Sequence, residues 1–367
     1  MLKKLFVKGF KGFKDGINID LSKTKSYDFN SEAVKNGIVN KAIIYGKNAS
    51  GKSNIGYAIF DIVSNLTDKN NGSILYNNYL NVERDIADFE YVFEFNGIDV
   101  TYKYSKKSLE NILKEELTIN GKKVIFYDFS KKGFIETSLL GTETLDKDFS
   151  NMNISVLKYI YRNSKLENNI ENTAFQQLME FVNNMLFFRC LNENAYIGLK
   201  TGSADVLEYI VEQGYLKEFE KFLNEDGVEC KLIEKNYNGK KTIAFKIGEP
   251  DIDFSQAAST GTNSLALFFY WYKSLDNASF LFIDEFDAFY HFELSEKIVE
   301  KLKTLKIQVI LTTHNTFLMS NELLRPDCYF IVFKNKIFKP VFDLTEKELR
   351  YGHNLEKIFR SEGFSNE

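Results

Sequence analysis

Apolar and polar residues alternate with a different period in successive stretches of the chain. Leu5, Val7 and Phe10, then Ile17, Ile19 and Leu21, predict an opening hairpin with Gly12 and Gly16 between its arms. Lys41-Ala42-Ile43-Ile44-Tyr45-Gly46 predicts a short buried strand running into a glycine loop. From Ser53 to Leu66 the period lengthens. Ile55, Ala58, Ile59, Ile62 and Val63 fall on one face of a helix. Strand spacing returns between Asp88 and Ser138. Tyr91, Phe93 and Phe95 alternate, as do Val100, Tyr102 and Tyr104, and Val124, Phe126 and Phe129 follow an Asn120-Gly121 turn. That stretch reads as an antiparallel meander.

Asp146 to Asp226 reads as helical. Phe175, Leu178, Phe181, Val182 and Met185 share one face, and Val206, Tyr209, Ile210, Leu216, Phe219 and Leu223 another. Val228 to Ile247 predicts a hairpin around Asn238-Gly239. In the last third β and α alternate. A helix over Thr262–Leu275 precedes an apolar strand, Phe280 to Ile283, which ends in Asp284-Glu285. A helix over Glu293–Leu305 leads to the strand Gln308–Leu311, which ends at Thr312-Thr313-His314, and a further strand spans Tyr329–Phe333. Continuous apolar strands between helices imply a parallel sheet covered on both faces. Neither internal repeats nor sustained heptads are present, which excludes a solenoid or a long coiled coil.

With 44 % hydrophobic and 27 % charged residues, the 367-residue chain has the make-up of a globular protein with a proper core. Its net charge of -4 means that any surface for nucleic acid must be local. Cys190, Cys230 and Cys328 are too widely spaced for a metal site or a disulfide framework, and read as free thiols in a reducing compartment. Met1 to Phe13 contains no signal-peptide core, and the most apolar stretch, Leu265 to Tyr272, is too short to span a bilayer. A cytoplasmic protein without a membrane partner is the expectation.

Gly46-Lys47-Asn48-Ala49-Ser50-Gly51-Lys52-Ser53 is a complete phosphate loop, G-x-x-x-x-G-K-S, between a predicted strand and a predicted helix. Its backbone amides, backed by the helix start, surround phosphate oxygens. Lys52 reaches the β- and γ-phosphates, and the Ser53 hydroxyl ligates Mg²⁺. Downstream, an apolar strand ending in Asp284 sets a carboxylate at the sheet edge where ligands bind in doubly wound folds. Asp284 is the second Mg²⁺ residue, and Glu285 the general base toward water. Ala258-Ser259-Thr260-Gly261-Thr262 opens a helix and reads either as a plain N-cap or as a second anion site, one that suits a nucleotide held by another subunit. His314 sits at the same predicted sheet edge as Asp284, where an imidazole lies close to the γ-phosphate.

These four elements, in this order, resemble the ABC ATPases of the SMC/RecF/OLD-like group, and more closely the stand-alone AAA-type ATPases of bacterial defence operons. Gly9-Phe10-Lys11-Gly12-Phe13 looks like the group's opening hairpin and Ala258–Thr262 its signature loop. Phe280–His291 looks like its acidic strand and D-loop, and Leu323-Leu324-Arg325-Pro326-Asp327 and Asn354–Phe359 its closing segments. The implied fold is an α/β ABC-ATPase head, a P-loop NTPase with a mostly parallel core sheet, an antiparallel β subdomain and an inserted helical subdomain. The implied division is a nucleotide lobe over 1–145, a partner-binding insert over 146–250 and a second nucleotide lobe over 251–367.

The resemblance further implies a head-to-tail dimer around ATP and Mg²⁺. Gly46 to Ser53, with Asn54, face Ser259 and Gly261 of the other copy, and Lys52, Glu285 and His314 carry hydrolysis. His291 stands where many relatives have the D-loop Asp, and Glu90 and Glu94 lie in the region of the Q-loop. Lys11 and Phe13 read either as nucleotide contacts or as surface and core of the hairpin. The lysines at positions 3, 4, 8, 11 and 14 read as a solvated face or a contact to nucleic-acid phosphates. The expected output is a switch that governs a separately encoded nuclease or toxin, since the chain leaves no room for a nuclease domain of its own. An ATP-gated clamp on DNA or RNA is the alternative. A metabolic P-loop kinase fits poorly, because it has no use for Ser259–Thr262.

Overall fold

The computed structural model describes residues 1–69, 77–131, 133–189, 196–199, 205–237, 239–248 and 250–364. Two seven-stranded sheets carry the fold. In the antiparallel sheet the order is Glu136–Thr137, Lys122–Asp128, Ile112–Ile119, Ile98–Lys106, Ala87–Phe95, Leu2–Lys8 and Ile17–Asp20. The core sheet runs Tyr196–Gly198, Met185–Arg189, Phe280–Asp284, Gln308–Thr312, Lys41–Tyr45, Tyr329–Val332 and Phe338–Pro340. Its five middle strands are parallel, and each edge strand is antiparallel to its neighbour. The α/β architecture with a mostly parallel core sheet and an antiparallel β part is thus present, together with the opening hairpin, whose register pairs Leu5 with Ile19.

Between the sheets lies the helix Lys52–Leu66. Sequence spacing predicts one apolar face, but twelve of its fifteen residues are buried. One side sits on the core sheet. Gly56 makes that approach close, because a Cβ there would stand 2.6 Å from the Phe282 ring and 2.9 Å from that of Phe187. A mid-helix glycine costs about 1 kcal/mol relative to alanine, and here the contact requires it. The other side meets the antiparallel sheet through polar groups. Tyr91 Oη donates to Ala58 O at 2.6 Å, Tyr104 Oη to Asp61 Oδ2 at 2.8 Å, and Lys106 Nζ to the same oxygen at 3.0 Å. Asp61 and Lys106 are both fully buried. Next to them Glu115, whose carboxyl burial pushes above its ordinary value, accepts from Tyr102 Oη, Ser155 Oγ and Val156 N, and so holds the start of the helix Val156–Asn163.

The middle segment departs from its helical reading. Helices span Val156–Asn163, Ile170–Asn183, Val206–Glu212 and Leu216–Glu225, but Met185 opens a strand that joins the core sheet beside Phe280–Asp284. Apolar Met-Leu-Phe-Phe has no alternation, so period alone cannot separate a buried strand from a buried helix. Ile112–Ile119, which the apolar pattern does not single out, completes the meander. The hairpin of Leu232–Tyr237 with Lys240–Phe245 forms around the predicted turn, of which Asn238 lies outside the described residues, as does Cys190. Cys230 and Cys328 are free thiols. Trp271 is buried and stacks on Phe188 at 5.8 Å. Among the described residues no helix is long and apolar enough to cross a membrane.

Breaking a buried ion pair from one side leaves an uncompensated charge, at a cost of about 3–5 kcal/mol. Lys106→Met is expected to lose stability on that scale in urea unfolding, and Asp61→Asn/Lys106→Met to regain most of it. A double variant as unstable as the single one would contradict this account of the seam between helix and sheet.

Candidate functional site

Parallel strands end together, so the connections leaving Lys41–Tyr45, Phe280–Asp284 and Gln308–Thr312 converge at one edge of the core sheet. The first is the glycine loop. Gly46 has no space for a side chain, since a Cβ would lie 2.4 Å from Ser50 Oγ and 2.8 Å from Val332 O. Gly51, at φ 117°, turns the chain into the helix, and Ala49, at φ 62°, is held in the left-handed region. A strained non-glycine residue of this kind costs about 1–3 kcal/mol and persists only where its surroundings impose it. Lys336 helps to impose it, with Nζ donating to Ser50 O at 2.8 Å. The helix ladder begins with Ile55 N donating to Gly51 O, so the amides of Lys52, Ser53 and Asn54 point out of the helix start. Ser50 Oγ is buried without a partner among the described residues.

Lys52 Nζ donates to Gly46 O at 2.9 Å and lies 2.7 Å from His314 Nε2. An ammonium has no acceptor, so Nε2 must accept and the imidazole is neutral with its proton on Nδ1. The electrostatics agree. Burial, then the Lys52 charge, holds His314 below its ordinary value, and burial lowers Lys52 while Glu285 and Asp284 pull it back up.

Asp284 is fully buried at its strand end. Thr312, which carries no chemistry in the sequence reading, organises it. The Thr312 hydroxyl donates to Asp284 Oδ1 at 2.7 Å and accepts from Glu285 N at 2.8 Å. This fixes Glu285 at φ 48°, a second strained non-glycine position. The neighbouring Thr313 hydroxyl bonds the carboxylate of Asp287 at 2.7 Å, and burial raises the Asp287 carboxyl above its ordinary value. A threonine pair ahead of the histidine was the available signal for both supports.

Ser259 is the N-cap of the helix Thr260–Lys273, with Oγ accepting from Thr262 N at 3.1 Å. Asn263 N opens the ladder to Ser259 O, so the amides of Thr260 and Gly261 point outward. Among the described residues no hydrogen bond joins Ser259–Thr262 to Gly46–Ser53 within the chain. Gly261 is hemmed in by Phe289 O, 3.0 Å from where a Cβ would stand.

The remaining candidates separate. Lys47, Asn48 and Ala49 are exposed and Ser53 half-buried. Asn54 lies against Gly12 of the opening hairpin. Phe13 is buried and its ring packs on Gly51, while Lys11 sits over the Tyr57 ring with Nζ donating to Asn77 O. His291 is the N-cap of the helix Phe292–Lys303. Glu90 and Glu94 belong to the antiparallel sheet, where Glu90 pairs with Lys103 and Glu94 accepts from Gly97 N. The residue that the core sheet places beside Asp284 is instead Arg189. Lys3, Lys4 and Lys14 pair with Asp99, Asp20 and Glu83.

The glycine cradle, the outward amides, the lysine and a buried carboxylate with one oxygen free of hydrogen bonds fit a nucleotide phosphate chain with a divalent cation.

Comparison with known proteins identifies a family and a set of similar folds. The model of the family described as "AAA domain, putative AbiEii toxin, Type IV TA system" matches residues 41–320. Among solved structures the chain is similar to an SMC head bound to the C-terminal winged-helix domain of ScpA, with 17 % identity, 92 % of this chain and 96 % of that chain covered, and a TM-score of 0.44. For the SMC head domain from Thermotoga maritima the figures are 18 %, 90 %, 94 % and 0.41. For the recombination mediator protein RecF of the RecFOR pathway, solved as RecF-ATPrS, they are 15 %, 92 %, 97 % and 0.41. No curated protein matches the chain.

Because its folded value is depressed below 6.5, the neutral His314 ring contributes stability above about pH 6.5, and the contribution is lost as pH falls through the folded value. NMR titration of the His314 ring is expected to give a midpoint below 6.5 that rises in Lys52→Met without reaching the ordinary value, since burial persists. A midpoint that ignores Lys52 would break the link between the two groups.

Proposed function

Because the chain belongs to this AAA family, we propose that it is an ATPase that closes around ATP and Mg²⁺ as a head-to-tail pair of copies and uses the closure as a switch. The observation that supports the reading is the presence of two separate helix starts whose backbone amides point outward. One is the cradle of Gly46–Asn54 with Lys52; the other is the helix start at Ser259 and Gly261, which among the described residues has no hydrogen bond to that cradle. In this reading Gly46 to Asn54 hold the phosphates, Lys52 leaves Gly46 O for the β- and γ-phosphates, and Ser53 and Asp284 hold Mg²⁺. Magnesium supplies charge neutralisation on the phosphates. Glu285, fixed through Thr312, takes the proton of the attacking water, and His314, whose Nε2 faces Lys52, stands near the γ-phosphate. Ser259 and Gly261 of the second copy add contacts that exist only when the pair is closed.

A ligand shifts a two-state equilibrium only by its differential affinity for the two states. In this account the difference is the trans contact, and loss of the γ-phosphate removes it. The output is control of a separately encoded effector, a nuclease or toxin, in bacterial anti-phage defence. The family description names a putative toxin of a type IV toxin–antitoxin system, which supports a place in such a system. An ATP-gated clamp on DNA fits the family match equally well, and of the amino-terminal lysines only those at positions 3, 4 and 14 are paired with carboxylates among the described residues.

Glu285→Gln is expected to accumulate the closed pair with ATP and Mg²⁺, seen as an ATP-dependent rise in mass by light scattering. An unchanged mass and shape would count against closure.

Ser259→Arg separates this reading from that of a P-loop kinase. It is expected to abolish ATP hydrolysis while leaving ATP binding to the isolated chain intact, whereas a kinase would tolerate the change.

A further inference from the structure

The strand Met185–Arg189 approaches the site from the flank of Phe280–Asp284 opposite to Gln308–Thr312, and its register sets Arg189 level with Asp284. Arg189 Nε lies 3.4 Å from Asp284 Oδ2. The two ends of this ion pair are unequal. Asp284 is fully buried, whereas the Arg189 side chain is a third exposed. The two oxygens of Asp284 also differ. Oδ1 accepts from Thr312 Oγ1 at 2.7 Å, but neither Oδ2 nor Arg189 Nε makes an aligned hydrogen bond among the described residues.

A permanent arginine–carboxylate pair is commonly bidentate, at about 2.7–2.9 Å. The contact here is longer and misaligned. It still matters, because a buried carboxylate without a nearby cation is strongly disfavoured. Thr312 therefore fixes the direction of the carboxylate, while Arg189 supplies only charge, from a side chain with room to withdraw toward solvent.

We propose that Arg189 is the exchangeable counter-ion of Asp284: it neutralises Oδ2 in the metal-free chain and competes there with the divalent cation, so that loading the site releases it. The proposal rests on reading Asp284 as a magnesium residue. Arg189 thus acts through Asp284, balancing the charge of a carboxylate that Thr312 aims before the metal arrives. Two cations at one carboxylate oxygen repel each other, so occupancy of the site is transmitted to the end of the strand Met185–Arg189. Only a charge at that position is needed, and lysine should substitute in part.

The test uses the full chain as wild type, Arg189→Met and Arg189→Lys. The first measurement is the Mg²⁺ concentration that half-saturates binding of a fluorescent ATP analogue. Arg189→Met is expected to lower it by roughly tenfold, the order of one charge–charge repulsion near a protein surface, with Arg189→Lys close to wild type. An unchanged or higher half-point in Arg189→Met overturns the competition. The second is a stability cycle without metal or nucleotide, using Arg189→Met, Asp284→Asn and the double variant. Arg189→Met is expected to lower the unfolding midpoint in wild type and to have little effect in the Asp284→Asn background. Additive losses overturn the pairing. If wild type binds no ATP analogue at any Mg²⁺ concentration, the reading of the site as an ATP site fails, and the cycle still decides the role of Arg189.

Discussion

The contact between the helix Lys52–Leu66 and the core sheet sets the height of the phosphate loop above the strand ends. Gly56 brings the helix axis down onto Phe187 and Phe282, two rings that stack on each other at 5.6 Å from adjacent strands. Those same strands end in Arg189 and Asp284. A larger residue at position 56 would lift the helix start, and with it Lys52, away from His314 and the carboxylates. On the far side the Asp61–Lys106 pair and its tyrosines prevent the helix from riding up. The site is therefore held by packing that lies well beneath it, and the loop itself can afford strain.

That strain sits where charge is concentrated. Ala49 and Glu285 are both left-handed, the first beside Lys336 and the second beside Thr312. Around them Lys52, Arg189 and His314 face Asp284, Glu285 and Asp287 across the strand ends. Lys52 rests on Gly46 O and a neutral imidazole, and Asp284 rests on a hydroxyl and a misaligned guanidinium. Lys52 and Asp284 thus each have partners, but ones that hold them less firmly than a phosphate or a divalent cation would. Such an arrangement keeps the fold stable without ligand and leaves the binding groups replaceable.

The elements that carry chemistry were legible because their patterns are local. A glycine loop between an apolar strand and a helix, and an apolar strand ending in two acids, need no partner to be recognised, and the chain belongs to the AAA family whose model spans both. The supports were not legible, because they depend on contacts between distant segments. Thr312 acts across to Asp284, Lys336 across to Ser50, and Arg189 comes from a strand whose run of buried side chains has no period. The same reason explains why Lys52–Leu66 looked one-sided. Asp61 and Asn65 are polar, and only the antiparallel sheet, with Lys106 and Glu115, makes burying them tolerable.

The inclusion of Met185–Arg189 in the core sheet changes how the middle of the chain relates to the site. The helix Ile170–Asn183 leads directly into that strand, and both ends of the junction are tied to the acidic strand. Ser279 N donates to Asn184 O at 3.0 Å and Ser279 Oγ to Phe181 O at 2.5 Å. The Phe181 ring in turn packs on Phe93 and Phe95 of the antiparallel sheet. A displacement of the helical segment therefore acts on the root of Phe280–Asp284 and, through the strand, on Arg189 at its tip. Packed elements transmit small shifts because the interior is dense and resists compression. The connection from the helix end to the backbone of Asp284 is continuous hydrogen bonding, through Asn184 and the paired strands, and does not pass through the nucleotide loop.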